Sequence, residues 1–274
     1  MISLLQVQKF RGKTGDNMAD KNYLHTAYAN SADGTDGFTT VYPNLNLLDG
    51  TKDFSGDWIN AVNQQTDGTY KGLTVKKQIG QWVGIYKTFT APKSGVYTFS
   101  AYVKSSVDSA KVYRLIFING VNAILPNKEL GNNFDWTRDS FNTTLNAGDV
   151  IYVQYDKSTG GALWTAGHKW EEGSITTPHM PSASEVTTAD WPKHVGTYVD
   201  TIPTSSMEPS KYDWDEMKYR VYLDGTPVGG SKLLSFDLEN LKAGTSYNVQ
   251  VSQINGNVES DKSESVTFKT TLPK

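Results

Sequence analysis

The chain has 274 residues, 26 Lys+Arg against 29 Asp+Glu for a formal charge of −3, and no cysteine. Near-neutral charge without a basic stripe argues against a partner bound through nucleic-acid phosphates, and the missing cysteines remove disulfides, thiolate zinc sites and cysteine nucleophiles. Aromatic residues at 12% against 20% charged, with 24 Gly, suit strands better than long helices, and the length allows one large or two modest domains.

The opening run Met1–Phe10 is too short and polar for a signal segment and lacks a small-residue cleavage site after it. No stretch of about 18 apolar residues stands together, so no membrane span is expected. The protein is expected to be made in a cytoplasm, or exported by a route the chain does not encode. Residues 11–43 are dense in Gly, Asp, Asn and Thr, as in Ser31-Ala32-Asp33-Gly34-Thr35-Asp36-Gly37, so residues 1–43 read as a loop-rich leader.

From residue 44 short alternating segments separated by turn signals predict a β-sandwich over residues 44–181. Ile85, Lys87 and Phe89 alternate with Tyr86, Thr88 and Thr90 before the turn Ala91-Pro92-Lys93-Ser94-Gly95. Tyr97, Phe99, Ala101 and Val103 then share one strand face, which belongs in the core. Val112 to Ile118 is a nearly continuous apolar strand, and Asn119-Gly120 is a strong two-residue hairpin signal that should return Val121 to Leu125 beside it. After Asn146-Ala147-Gly148-Asp149, Val150, Tyr152 and Gln154 oppose Ile151, Val153 and Tyr155.

Residues 182–216 lose the alternation and carry Pro192, Pro203 and Pro209, so they read as a connector. Trp191, Tyr198, Tyr212 and Trp214 would be costly to leave in water, which predicts packing against a neighbouring domain or subunit and makes homo-oligomerisation an expectation. A second, smaller β-unit over residues 217–274 is predicted from Tyr219, Val221 and Leu223 running into Asp224-Gly225, and Tyr247, Val249 and Val251 into Asn255-Gly256.

Two resemblances attach to these segments. Leu241, Gly244 and Tyr247 in the stretch 238–251 resemble the tyrosine corner of a fibronectin type III domain. The first two strands of that fold are not evident, so either the connector supplies them or the domain is truncated. The second resemblance is broader: Ser31 to Phe38, Asn46-Leu47-Leu48, Lys169-Trp170-Glu171-Glu172-Gly173 and Thr177-Pro178-His179-Met180-Pro181, with 191–200 and 208–214, are similar to tail and baseplate proteins of bacteriophages of Gram-positive bacteria. His179 stands where those proteins usually have Trp. In them this order brackets a jelly roll similar to carbohydrate-binding modules. The resemblance implies an all-β protein, a jelly-roll sandwich followed by a smaller fibronectin type III-like sandwich, carried in the virion among other virion proteins. Related sandwiches often hold one calcium where first and last strands meet, which would implicate Asp49, Asp53 and Glu172; no other cofactor is expected.

An enzyme needs a constellation that is not apparent. There is no Gly-x-Ser-x-Gly, no His-Glu-x-x-His and no phosphate-cradling glycine loop, and His25, His168, His179 and His194 lack metal-ligand spacing. Glu171 and Glu172 are neighbours on one strand and must point to opposite faces, whereas a glycosidase needs two carboxylates across one sugar. Sugar binding instead asks for flat aromatic faces flanked by Asn, Asp and Gln. The candidates are Trp58, Trp82, Tyr86, Tyr113, Trp136, Tyr155 and Trp164, with Trp58, Trp136 and Trp164 leading because their surroundings read as loop tips. The expectation is a non-enzymatic tail or baseplate protein that contributes to host adsorption by binding cell-wall saccharide. The alternatives are a purely structural decoration or fibre protein, or the accessory region of a wall-degrading enzyme.

Overall fold

The computed structural model describes residues 22–106, 111–122, 128–239 and 241–271, and the chain is all-β, with only short 3-10 turns besides its strands among these residues. Most of the leader and the far end of the predicted 121–125 strand lie outside the described residues. The backbone divides into two compact units, Asn44–Val186 and a second one made of residues up to Pro43 with Thr187 onward.

The segment read as loop-rich opens the second unit with two strands, β1 (Tyr23–Ala29) and β2 (Phe38–Thr39). Within Asn44–Val186 follow β3 (Gln64–Tyr70), β4 (Leu73–Gln78), β5 (Phe89–Thr90), β6 (Gly95–Ser105), β7 (Val112–Ile118), β8 (Val121–Asn122), β9 (Lys128–Gly131), β10 (Phe134–Leu145), β11 (Val150–Lys157) and β12 (Leu163–Glu172). They form two antiparallel sheets, ordered β10-β6-β12-β4-β3 and β5-β11-β7-β8 with β9 also on β7. The side-chain period of two sends Tyr97, Phe99, Ala101 and Val103 inward, where they meet Val112, Ile116, Ile151, Val153 and Trp170 in one core. Asn119 and Gly120 both have positive φ, 51° and 79°, and close the β7–β8 hairpin with Ile118 opposite Val121.

Strand β12 is buried on both faces, because residues 44–51 and 177–182 cover its outer side. The Asn46 side chain ties that cover down, donating to the His168 carbonyl at 2.9 Å and accepting from the Trp170 amide at 3.0 Å. Lys169 and Glu171, both fully buried, then pair at 3.2 Å, and the Lys169 amine also donates to Thr177 Oγ1 and the Pro178 carbonyl. Glu172, one residue on, faces solvent and pairs with Lys93.

The connector also proves to contain strands. β13 (His194–Asp200) lies antiparallel to β1, with Tyr23 opposite Asp200 and Ala29 opposite His194, and β14 (Asp213–Glu216) lies on its other side. The connector aromatics pack inside this unit: Trp191 stacks on Tyr42 at 5.6 Å, Tyr198 on His25 at 4.5 Å, and Trp214 meets Phe38 edge-on at 5.7 Å. Gly196 permits the last arrangement, since a Cβ there would lie 2.7 Å from the Trp214 ring. β15 (Tyr219–Leu223), β16 (Thr226–Ser231), β17 (Ser246–Asn255), β18 (Val258–Glu259) and β19 (Val266–Lys269) complete it as one sheet around β15 and β17. The Tyr247 hydroxyl accepts the Lys242 amide at 2.9 Å, just beside Leu241, with Gly244 at φ 66°.

Candidate functional site

On the β7–β11 pair, Ile151, Val153 and Tyr155 point into the core, so the alternate residues face out. Directly opposed positions on that outer face are Tyr152 with Phe117, Gln154 with Leu115, and Asp156 with Tyr113. Phe117 stacks on Tyr152 at 4.7 Å and 11°, and Tyr86 stacks on the same ring at 4.0 Å and 16°. The result is a near-parallel ladder of three rings. Beside it Trp82, 51% exposed, lies over Tyr113 at 5.6 Å.

Trp82 stands in a left-handed backbone conformation, φ 55°, which a bulky residue adopts only where its surroundings hold it. Those surroundings are specific. Asn60 Nδ2 donates to the Gly84 carbonyl at 2.9 Å, Gln64 Nε2 to the Val83 carbonyl at 2.7 Å, and the Gly84 amide to Asp156 Oδ1 at 2.7 Å. Asp156 has its other oxygen on Gln154 Nε2; burial pushes its carboxyl up, and these hydrogen bonds pull it back. Gly84 is required by close approach, since a Cβ there would lie 2.2 Å from the Tyr155 carbonyl. Gly84→Ala is expected to cost about 2 kcal/mol of stability and to displace the loop that carries Trp82. Urea denaturation tests it: a variant as stable as the parent would show that the loop yields freely.

Of the seven aromatic candidates, Trp82, Tyr86 and Tyr113 gather on this face. Trp58 and Tyr155 do not, because they are core residues: the Trp58 indole donates to the Ser55 carbonyl at 3.0 Å and the Tyr155 hydroxyl to Asp139 at 2.9 Å. Trp136 and Trp164 lie on strands rather than loop tips, on the outer face of the opposite sheet. Tyr152, Phe117, Gln154 and Asp156 were missed, although apolar residues at the outward positions of two predicted strands were a readable signal. Asp49, Asp53 and Glu172 are not brought together: Asp49 takes Ser184, Asp53 takes its own turn at Ser55, and Glu172 takes Lys93. Among the described residues no three His, Asp or Glu side chains gather to hold a metal, and no helix is long and apolar enough to cross a membrane.

The second unit has a cavity of about 190 Å³ lined by Pro192, Lys193, His194, Met217 and Arg220 among others. The Arg220 guanidinium there is engaged with Tyr42, Glu259 and the face of Trp191.

Residues 192–250 match the family described as Minor structural protein 5-like, C-terminal domain, BppU-like. Over 93% of this chain and 100% of the other, the chain is 49% identical, with a TM-score of 0.73, to a structure of the tripod (BppUct-A-L) from the baseplate of bacteriophage Tuc2009. The chain belongs to that phage baseplate family. The baseplate protein also overlaps a family 35 carbohydrate binding module from Clostridium thermocellum, at 18% identity over 40% of this chain and 89% of that one, TM-score 0.32. A xylan-binding domain from Paenibacillus barcinonensis overlaps 50% of this chain and 99% of its own at 14% identity, TM-score 0.38. Overlap at this level carries no argument about ligand. No curated protein matches the chain.

Proposed function

We propose that this baseplate protein is a non-enzymatic virion component that contributes to host adsorption by holding cell-wall saccharide on the outer face of β7 and β11. The observation that carries the reading is the Tyr86–Tyr152–Phe117 ladder beside the exposed Trp82 and Tyr113. The exposed Trp82 offers a flat face for the apolar side of a pyranose, the ladder, whose rings cover one another's faces, offers its edges beside it, and Gln154 offers polar groups for hydroxyls. The unit containing residues 192–250 is the part that seats the protein among other virion proteins, because the baseplate family's C-terminal domain matches there. Assembly takes place in the bacterial host, and the tripod of the Tuc2009 relative favours several copies per particle. Weak single sites then become useful through avidity.

Binding of a multivalent preparation to purified host cell walls tests this. Tyr152→Ala and Trp82→Ala are each expected to cost about 1 kcal/mol per site, roughly fivefold in affinity, and more in the multivalent assay. If neither variant changes wall binding, the site is not on this face. If the parent does not bind at all, the structural reading of the protein stands instead.

A further inference from the structure

The outer face of the opposite sheet carries a different chemistry. Register places Lys104 and Lys77 on either side of Trp164, on neighbouring strands of one rung, and their amines lie 5.9 and 5.3 Å from the Trp164 ring centre. Two residues along β6, Tyr102 stands opposite Arg138, whose guanidinium is 5.3 Å from its ring. The Lys71 amine lies 5.8 Å from the Tyr102 ring and 5.9 Å from Tyr70, which in turn stacks on Trp136 at 4.3 Å. Among the described residues two carboxylates approach this array: Asp67, bound to the Trp164 indole N–H at 2.7 Å and 3.8 Å from Lys77, and Asp135, 3.1 Å from Lys104. A surplus of two positive charges remains.

Lys71 is the residue least explained by folding. Lys71 and Gly72 form the two-residue turn between β3 and β4, with Tyr70 opposite Leu73 and φ of 50° and 75°. That turn prefers Asn, Asp or Gly at its first position, so a lysine there costs backbone energy. Among the described residues no carboxylate pairs with its amine. Lys77 and Lys104 are separated by two interstrand spacings, about 10 Å, which spreads the positive charge along the face instead of concentrating it at one point.

We propose that this face is a second binding site, which takes an acidic polysaccharide: sugar rings against Trp164 and Tyr102, and phosphate or carboxylate groups between Lys71, Lys77 and Lys104, while the Arg138 guanidinium, which donates to Ser100 Oγ and the Thr177 carbonyl, braces the Tyr102 end of the site. It is independent of the aromatic ladder on the other sheet. Cations held over rings pair with an incoming anion without losing the ring contact, and a chain of repeated anions uses several of them at once.

The test is titration of the full chain with polygalacturonate, with poly(glycerol phosphate) and with neutral dextran, at low and at physiological salt. Binding to at least one acidic polymer but not to dextran is expected, weakening as salt rises. Uptake of one acidic polymer alone assigns carboxylate or phosphate as the recognised group. The Lys71→Asn, Lys77→Gln, Lys104→Gln triple variant is expected to lose roughly tenfold in affinity. Lys71→Asn alone, which suits the turn and so keeps the fold, is expected to lose about twofold. Tyr152→Ala addresses the other face, so acidic-polymer affinity is expected to survive it even if wall binding does not. The proposal is overturned if neither polymer binds at low salt, if dextran binds equally, if both lysine variants bind unchanged, or if double-stranded DNA binds more tightly than either polysaccharide.

Discussion

Asp139→Ala is expected to destabilise the Asn44–Val186 unit by about 3–5 kcal/mol, the cost of stranding a buried charge, and to lower its melting temperature by roughly 10 °C. Asp139 on β10 and Arg114 on β7 belong to different sheets, and both side chains are almost fully buried. Arg114 Nη1 lies 2.8 Å from each Asp139 oxygen, and the Tyr155 hydroxyl donates to Oδ2 at 2.9 Å. The guanidinium also lies 4.7 Å from the Phe141 ring centre. Removing the carboxylate leaves Arg114 charged, since a guanidinium does not deprotonate in a protein. The double change Arg114→Met, Asp139→Leu removes both charges and is expected to recover much of the loss. Denaturant midpoints of parent, single and double variants measure this; a single-variant loss below about 1 kcal/mol would mean the pair is solvated.

The strands that define the sandwich were legible because their apolar residues keep a strict period of two, as Tyr97, Phe99, Ala101 and Val103 do. What the sequence hid was non-local. Tyr23–Ala29 sits in a Gly- and Asp-rich surrounding and pairs with His194–Asp200, about 170 residues later, so neither local composition reveals the strand. The aromatic connector, expected to pack against a neighbouring domain or subunit, packs within its own unit. Its partners, Tyr42 and Phe38 among them, lie in the segment read as leader, so no neighbouring subunit is needed to cover Trp191 or Trp214. Lys169 and Glu171 look like surface residues in the sequence, and only the cover from residues 44–51 and 177–182 buries them. At the candidate site, Trp82, Tyr86 and Tyr113 were legible among the seven aromatic candidates. The choice of face was not, because Trp136 and Trp164 follow Asn- and Gly-rich turns and yet lie within β10 and β12, across the sandwich from the ladder.

The same unit should be acid-labile well above the carboxylate range, through two histidines of its interior. His168 is enclosed by the rings of Phe54, Trp58 and Phe99 at 5.5 to 5.8 Å, and neither ring nitrogen has a hydrogen-bond partner. Burial pulls it down to about 3. His179 shares a hydrogen bond with Thr51 Oγ1 at 2.9 Å and is likewise pulled to about 3, first by burial and then by Lys169 and Arg138. In the unfolded chain each titrates near 6.5, so below that pH the unfolded state binds protons that the folded state refuses. The stability is complete above about 6.5 and is lost as pH falls toward 3, at about 1.4 kcal/mol per pH unit for each histidine. By pH 5 the two together remove about 4 kcal/mol, a large part of the total for a domain of this size. Asp156, pushed up by burial, works in the opposite sense and offsets part of this loss. His168→Phe keeps a ring in the core and removes both unpaired nitrogens. It is expected to raise stability at neutral pH by about 1 kcal/mol and to halve the slope between pH 6.5 and 4.5, while His179→Gln retains a partner for Thr51 and removes the remainder. Chemical denaturation across that range decides it, since a flat profile in the parent would mean that both histidines are already protonated in the folded state.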